Sequence, residues 1–216
     1  MKELPALFPE KISSYLSENF LQRPYPVLLE MEEYAKSHKI PILSPLAGPI
    51  VRECIQRFQP KKILELGTAI GYSTLWMLSA MARDAQITSV DREIEAQEKA
   101  KQYFGKAKIL PEQVSLVTSD AVLYLQESLP KERYDFIFVD CDKIRYPAIW
   151  EIISQSSNQR GSALLYDNAL WHGRILPEEF TRPSDRAVQE LWQAVKRSSY
   201  PSTLYTNGDG LLLIQL

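Results

Sequence analysis

From about residue 61 onward, short apolar runs alternate with longer segments in which apolar residues recur at helical spacing. The apolar runs predict strands and the spaced segments predict helices. Strands are predicted at 62–66, 86–90, 114–117, 134–139 and 163–166. The helices between them are predicted at 72–81, 93–104, 121–128 and 146–156. Strands separated by helices of this length are typical of βαβ units, so the pattern predicts a parallel sheet.

The two ends of the chain predict different arrangements. A helix at 184–198 leads into two strands, 202–205 and 211–216, joined by Asn207-Gly208-Asp209-Gly210. This turn composition between apolar runs is typical of a β-hairpin, so the sheet is expected to finish with antiparallel strands. Residues 1–60 show helical segments interrupted by prolines, and they predict a helical cap over the sheet. The whole chain, 1–216, is therefore predicted to be one α/β domain.

Composition narrows the function classes. The chain has 216 residues with 45% hydrophobic and 24% charged residues, and its net charge is −2, which is ordinary for a globular protein and gives no general reason to bind nucleic acid or membranes. Its two cysteines, Cys54 and Cys141, lack metal-type spacing, and the first residues lack a secretory h-region, so we expect a soluble, cytoplasmic protein. Local basic clusters exist, although solvated helix faces are their usual explanation: Lys61-Lys62; Lys99, Lys101, Lys106 and Lys108; Arg174, Arg182 and Arg186.

Polar residues follow five of the predicted strands at the point where each strand ends. In an open α/β sheet, ligands bind outside the carboxyl ends of the strands. Since all five sets fall at such ends, we expect them to surround one site. They are Glu65 with Gly67, Asp91, Ser119-Asp120, Asp140, and Asp167-Asn168.

The first of these strand ends predicts a nucleoside-type cofactor. Glycines in the turn 65–71 allow the backbone to approach a ligand closely. Asp91, at the end of the next strand, is placed to accept hydrogen bonds from ribose hydroxyls. The turn lacks the G-x-G-x-x-G dinucleotide pattern, and Glu65 suits a cationic ligand. S-adenosylmethionine satisfies these observations, and a strand-turn-helix with small residues for packing alone is the alternative.

The fourth and fifth strand ends predict a metal site. Without a cation, converging Asp140, Asp142 and Asp167 side chains would repel one another. Carboxylate and amide oxygens favour Mg²⁺, with Ca²⁺ and Mn²⁺ as alternatives. Lys143 could then act as a general base, or it could be an ordinary surface lysine. Helix capping by one carboxylate and ligand binding by the other is the alternative to a metal.

Two aromatic residues follow the fifth strand. Trp171 could form a wall for an aromatic substrate, or it could belong to the core. His172 is a weaker candidate, since a lone histidine is more often structural or solvated than catalytic.

Three segments together resemble one family, the metal-dependent O-methyltransferases that include the caffeoyl-CoA and catechol enzymes. They are Leu64-Glu65-Leu66-Gly67-Thr68-Ala69-Ile70-Gly71-Tyr72-Ser73, Val139-Asp140-Cys141-Asp142-Lys143-Ile144-Arg145-Tyr146 and Tyr166-Asp167-Asn168-Ala169-Leu170-Trp171-His172-Gly173. The resemblance runs from about residue 40 to the C-terminus. It implies a Rossmann-like class I methyltransferase fold, with a seven-stranded, mostly parallel sheet and a reversed last strand, and it implies a homodimer.

The resemblance also implies roles for individual residues. Asp140, Asp167 and Asn168 would be the metal ligands, with Lys143 as the catalytic lysine beside Asp140. Trp171 and His172 would contact the substrate. The residues implied around S-adenosylmethionine are Leu43, Glu65, Gly67, Thr68, Ser73, Asp91, Asp120, Ala121, Asp140 and Asp142.

The sequence leaves two classes of methyl acceptor open, a small aromatic molecule and tRNA. His172 stands where the plant enzymes have Asn, and 42–45 also departs from the plant pattern. Other segments, including Gly208-Asp209-Gly210-Leu211, look like bacterial members, some of which methylate 5-hydroxyuridine in tRNA. A small catechol-like aromatic is the first expectation and tRNA the alternative. A nicotinamide-dependent oxidoreductase and a non-catalytic binding module are the remaining hypotheses.

Overall fold

The computed structural model describes residues 10–176 and 180–216, and the first nine residues of the predicted cap lie outside this range. The helices are α1 (Glu10–Asn19), α2 (Val27–His38), α3 (Gly48–Phe58), α4 (Tyr72–Leu78), α5 (Ile94–Lys106), α6 (Ala121–Ser128), α7 (Tyr146–Gln155) and α8 (Pro183–Arg197). The strands are β1 (Lys62–Leu66), β2 (Gln86–Asp91), β3 (Val114–Thr118), β4 (Phe136–Val139), β5 (Ala163–Tyr166), β6 (Ser202–Tyr205) and β7 (Leu211–Gln215). None of the helices within the described residues is long and apolar enough to cross a membrane.

All seven strands form one sheet in the order β3-β2-β1-β4-β5-β7-β6. The first five strands are parallel, whereas β7 pairs antiparallel with both β5 and β6. The strand order reverses between β1 and β4, which is where open α/β sheets bind ligands. The predicted mostly parallel sheet with an antiparallel C-terminal hairpin is confirmed.

Two apolar layers cover the sheet. Helices α2 to α5 pack on one face, with Leu28, Val51 and Trp76 fully buried. Helices α6 to α8 pack on the other, with Leu125 and Ile149 fully buried. Because both faces are covered, strands such as β4 are buried along their whole length, as expected for parallel sheets.

The predicted elements are all present, with differences at their ends. The helix predicted at 72–81 ends at Leu78, and the strand predicted from residue 134 begins at Phe136. The described part of the predicted cap consists of α1, α2 and α3, which are separated at the proline-containing segments. The second and third helices end at residues in the left-handed conformation, Lys39 and Gln59, and Pro49 lies in the first turn of α3, where a missing N–H costs nothing.

Candidate active site

A cavity of about 730 Å³ opens at the carboxyl ends of the parallel strands. Every site residue predicted from the sequence lines it except Glu65. The predicted residues that it brings together are Leu43, Gly67, Thr68, Ser73, Asp91, Asp120, Ala121, Asp140, Asp142, Lys143, Asp167, Asn168, Trp171 and His172. The convergence of strand ends expected from the sequence is therefore present.

The turn after β1 lies close to the backbone of the β4 strand end. Gly67 has φ 110°, and a Cβ there would collide with the backbone carbonyl of Asp140. Only glycine accommodates this conformation and this close approach together. Asp91 steadies the same turn, since its Oδ2 accepts a hydrogen bond from the Ala69 N–H (2.8 Å) and its Oδ1 accepts one from the Glu93 N–H (3.0 Å).

Glu65 lies behind the cavity wall and has no exposed surface. Its carboxylate accepts hydrogen bonds from the hydroxyls of Ser73 (2.5 Å), Thr74 (2.6 Å) and Ser89 (2.5 Å). Burial raises the pKa of Glu65 to about 7, although the three hydroxyls lower it. The Ser89 hydroxyl also contacts the Thr68 hydroxyl at 2.7 Å. Glu65 therefore reaches the cavity through Ser73 and Thr68, both of which line it.

The opposite side of the cavity carries a cluster of charges. The Lys143 ammonium contacts Asp140 Oδ1 at 2.7 Å, with only 10% of the lysine side chain exposed. Burial lowers the pKa of Lys143, but the Asp140 and Asp167 carboxylates together leave it raised. Burial and the charge of Asp140 raise the pKa of Asp167 well above its usual range. The Lys143 ammonium therefore offsets the charges of the two carboxylates only partly.

Tyr146 joins the two strand ends that carry these carboxylates. Its hydroxyl lies 3.1 Å from the Val139 carbonyl oxygen and 2.9 Å from the Asp167 carbonyl oxygen. The side chain is fully buried, so this link lies inside the protein. The sequence did not predict this role for Tyr146, which was assigned only to the start of a helix.

The donor set fits a hard divalent cation. Asp140 and Asp167 supply carboxylate oxygens, and both line the same cavity. The Asn168 Nδ2 lies 3.4 Å from Asp209 Oδ2, which leaves the amide oxygen of Asn168 available as a ligand. Within 10–176 and 180–216, no group of three or more His, Cys, Asp and Glu side chains is arranged to hold a metal. Any cation here would thus depend on two carboxylates and an amide.

The segment after β5 forms the far wall of the cavity. Trp171 and His172 both line it, and the His172 side chain is 60% exposed. The Asp209 carboxylate accepts a hydrogen bond from the His172 backbone N–H at 2.6 Å. The Trp171 indole N–H donates to Asp185 Oδ1 at 2.7 Å. The sequence did not predict a role for either aspartate. Asp209 belongs to the predicted hairpin turn, and Asp185 belongs to the predicted helix 184–198.

Two further aspartates act as caps at the cavity. Asp120 caps α6 by accepting from the N–H of Val122 (2.9 Å), and it also pairs with Arg145 at 2.9 Å. Asp142 accepts from the Ile144 N–H at 3.3 Å and begins a short 3-10 turn. Capping thus accounts for part of the acidic character of the cavity.

Five of the nine residues in the basic clusters have acidic partners among the described residues. Lys61 pairs with Asp84, Lys62 with Glu132, Lys101 with Glu98, Lys106 with Glu30 and Arg174 with Asp185. Most of these pairs lie in solvated positions with side chains about half exposed.

Comparison with known proteins identifies the class. A family model described as O-methyltransferase matches residues 27–215. The chain therefore belongs to the O-methyltransferase family, and the family and the enzyme class predicted from the sequence are confirmed. This result sets aside the oxidoreductase alternative.

Individual relatives agree with this family. The chain is 32% identical over 186 residues to a caffeoyl-CoA O-methyltransferase from Stellaria longipes. The aligned region covers 82% of this chain and 76% of the relative. It is 28% identical over 151 residues to a catechol O-methyltransferase from Niastella koreensis, covering 69% and 67%.

Solved structures share the fold. An SAH-bound methyltransferase from Podospora anserina has a TM-score of 0.82 at 22% identity, covering 100% of this chain and 98% of that one. An O-methyltransferase from Bacillus cereus in complex with SAH has a TM-score of 0.80 at 22% identity, covering 95% and 97%. At this identity the likeness concerns the fold.

Proposed function

We propose that this protein, as one catalytic domain over 1–216, transfers the methyl group of S-adenosylmethionine to a hydroxyl of a catechol-like aromatic, using a divalent cation. One observation carries the proposal: the cavity lined by Gly67 and Asp91 is also lined by Asp140, Lys143 and Asp167. The names of the caffeoyl-CoA and catechol relatives support an acceptor with neighbouring hydroxyls. Cytoplasmic location and homodimerisation stay predictions.

Each side of the cavity has its own task in this proposal. Gly67, Thr68, Ser73 and Asp91 hold the donor, with the Asp91 carboxylate facing the ribose. Other donor contacts are assigned to Leu43, Asp120, Ala121, Asp140 and Asp142. Glu65 acts behind them by fixing the hydroxyls of Ser73 and Ser89. Trp171 and His172 contact the acceptor.

Asp140, Asp167 and the Asn168 amide oxygen would hold the cation, for which Mg²⁺ is the first candidate and Ca²⁺ or Mn²⁺ the alternatives. A bound cation would lower the pKa of a coordinated hydroxyl. Lys143, in its amine form, takes the proton from the attacking hydroxyl. The acceptor oxygen attacks the methyl carbon as the carbon–sulfur bond breaks, so the protein contributes mainly positioning. In the structure Lys143 is paired with Asp140, which favours its ammonium form.

The direct test combines turnover and binding. Catechol and S-adenosylmethionine are incubated with the protein with and without excess EDTA, and SAH binding is measured by calorimetry under both conditions. We expect EDTA to abolish methylation while SAH binding persists. Full activity in excess EDTA would contradict the metal-dependent mechanism.

The acidic partners of the basic clusters favour a small acceptor over tRNA. Nucleoside mass spectrometry of tRNA from a strain lacking the gene tests this preference. Unchanged methoxyuridine-type modification is the expected result, and its loss would assign tRNA as the substrate.

A further inference from the structure

Asp185 is a buried carboxylate whose two oxygens have separate tasks. It lies in the first turn of α8 with no exposed surface, and it is not part of the cavity lining. Its Oδ2 accepts from the N–H groups of Thr181 (2.8 Å) and Arg182 (2.8 Å) and from the Thr181 hydroxyl (3.2 Å). Its Oδ1 accepts from the Trp171 indole N–H (2.7 Å) and from Arg174 Nε (3.1 Å). One oxygen therefore caps the helix, and the other holds the cavity wall.

The segment that Oδ1 holds has an unusual backbone. Trp171, His172 and Gly173 have φ values of 47°, 55° and 79°. Residues other than glycine rarely adopt this conformation, and it persists only where surrounding contacts impose it. Asp209 holds the backbone of this segment through the His172 N–H, and Asp185 holds its largest side chain. The position of the indole is thus imposed from outside the cavity.

The indole lies beside the proposed proton acceptor. The Lys143 Nζ is 5.9 Å from the centroid of the Trp171 ring, and the Arg174 guanidinium carbon is 5.2 Å from it. A flat aromatic wall next to the lysine suits a planar acceptor ring, because stacking on the indole sets the distance between an acceptor hydroxyl and Lys143.

We propose that Asp185 is a positioning residue for the methyl acceptor, which it orients by fixing the Trp171 indole through Oδ1. The inference rests on the proposed function and deepens it by assigning the residue that sets the acceptor wall. Asp185 touches neither the donor nor the acceptor. Its effect passes through the indole N–H, and that bond can be removed without altering the helix cap.

Three variants test the role of the indole hydrogen bond. Trp171→Phe removes the indole N–H that donates to Oδ1 together with part of the aromatic wall, whereas Asp185→Asn leaves the wall intact and removes the carboxylate charge. Thr181→Val is the matched control, since it removes a hydroxyl bond to Oδ2 alone. We expect Trp171→Phe and Asp185→Asn each to raise the KM for catechol about tenfold, with the Kd for SAH unchanged. Thr181→Val leaves both values unchanged.

The double variant tests the path of the effect. If Asp185 acts through the indole, combining Asp185→Asn with Trp171→Phe raises KM little beyond either single variant. Additive increases in KM would show that Asp185 acts independently of the indole, and would overturn the proposal.

A second readout does not depend on turnover. The indole ¹H–¹⁵N signal of Trp171 is assigned by its absence in Trp171→Phe, and we expect Asp185→Asn to shift it and to speed its exchange with water, whereas Thr181→Val leaves it in place. An unchanged signal in Asp185→Asn would overturn the proposal. Absence of catechol methylation by the wild type would overturn the proposed function and the acceptor role, and the indole signal would still show whether Asp185 holds Trp171.

Discussion

The two sides of the cavity differ in how their polar groups are satisfied. On the side of β1 and β2, the Glu65 carboxylate receives three hydroxyl hydrogen bonds and Asp91 receives two backbone N–H bonds. On the side of β4 and β5, the Lys143 ammonium pairs with Asp140, and the pKa of Asp167 is well above its usual range because of burial and the charge of Asp140.

This difference shows on which side the protein satisfies its own buried carboxylates. A buried carboxylate with hydrogen-bond donors rigidifies its surroundings, so the donor side is preorganised by protein groups alone. Buried carboxylates that outnumber their cationic partners favour binding of another positive charge. The two sides should therefore respond differently to mutation, with Asp140, which is also assigned a donor contact, at the boundary between them.

Breaking the acceptor side at Asp140 should have the largest effect. Asp140→Ala removes a proposed metal ligand and the partner of Lys143, and we expect methyl transfer to fall by at least about 10³-fold. SAH binding, measured by calorimetry, should largely persist. Glu132→Ala, at a half-exposed surface carboxylate, is the control and should change neither quantity. Loss of SAH binding in Asp140→Ala would show that the two sides are not independent.

Removing the base should have a somewhat smaller effect. Lys143→Met keeps the length of the side chain without its amine, and we expect kcat to fall about 10²- to 10⁴-fold, the usual contribution of general base catalysis. Lys101→Met, at an exposed lysine, serves as the matched control. Wild-type kcat in Lys143→Met would exclude Lys143 as the base.

On the donor side, the largest effect is expected at Asp91. Asp91→Asn removes the charge that holds the Ala69 N–H and that we assign to the ribose, and we expect SAH affinity to fall about 10- to 100-fold. At saturating donor, kcat should stay near the wild-type value, because the acceptor side is intact. Asp84→Asn, at an exposed carboxylate, is the control. An unchanged Kd for SAH in Asp91→Asn would contradict the assignment of Asp91 to the ribose.

The sequence predicted the residues of the cavity well because strand topology determines them. Residues at the carboxyl ends of parallel strands meet at one edge, so Asp91, Asp140 and Asp167 converge whatever the loops do. Glu65 was harder to place. It lies within β1, where both faces are buried, and the apolar pattern of such a strand does not show which face a polar side chain takes.

The contact between Asp185 and Trp171 could not be predicted from the sequence. It depends on consecutive positive φ angles after β5, and local propensity does not favour such a path for a tryptophan and a histidine. Pro183 at the first helical position and the acidic Asp185 in the first turn were available as signals for the helix start. They give no indication of the bond between Asp185 and Trp171.

The pH dependence of stability tests the donor side without any measurement of turnover. The pKa of Glu65 is raised to about 7 by burial, so the folded state holds a proton that the unfolded state releases near its ordinary value of 4.5. The contribution of this proton to stability is therefore fully present below pH 4.5 and is lost as the pH rises from 4.5 to 7, by at most about 1.4 kcal/mol per pH unit. Glu65→Gln removes this contribution, so wild type minus variant, from urea unfolding without ligands between pH 4.5 and 8, should fall as the pH rises. A constant difference would mean that Glu65 stays ionised throughout, its charge stabilised by Ser73, Thr74 and Ser89.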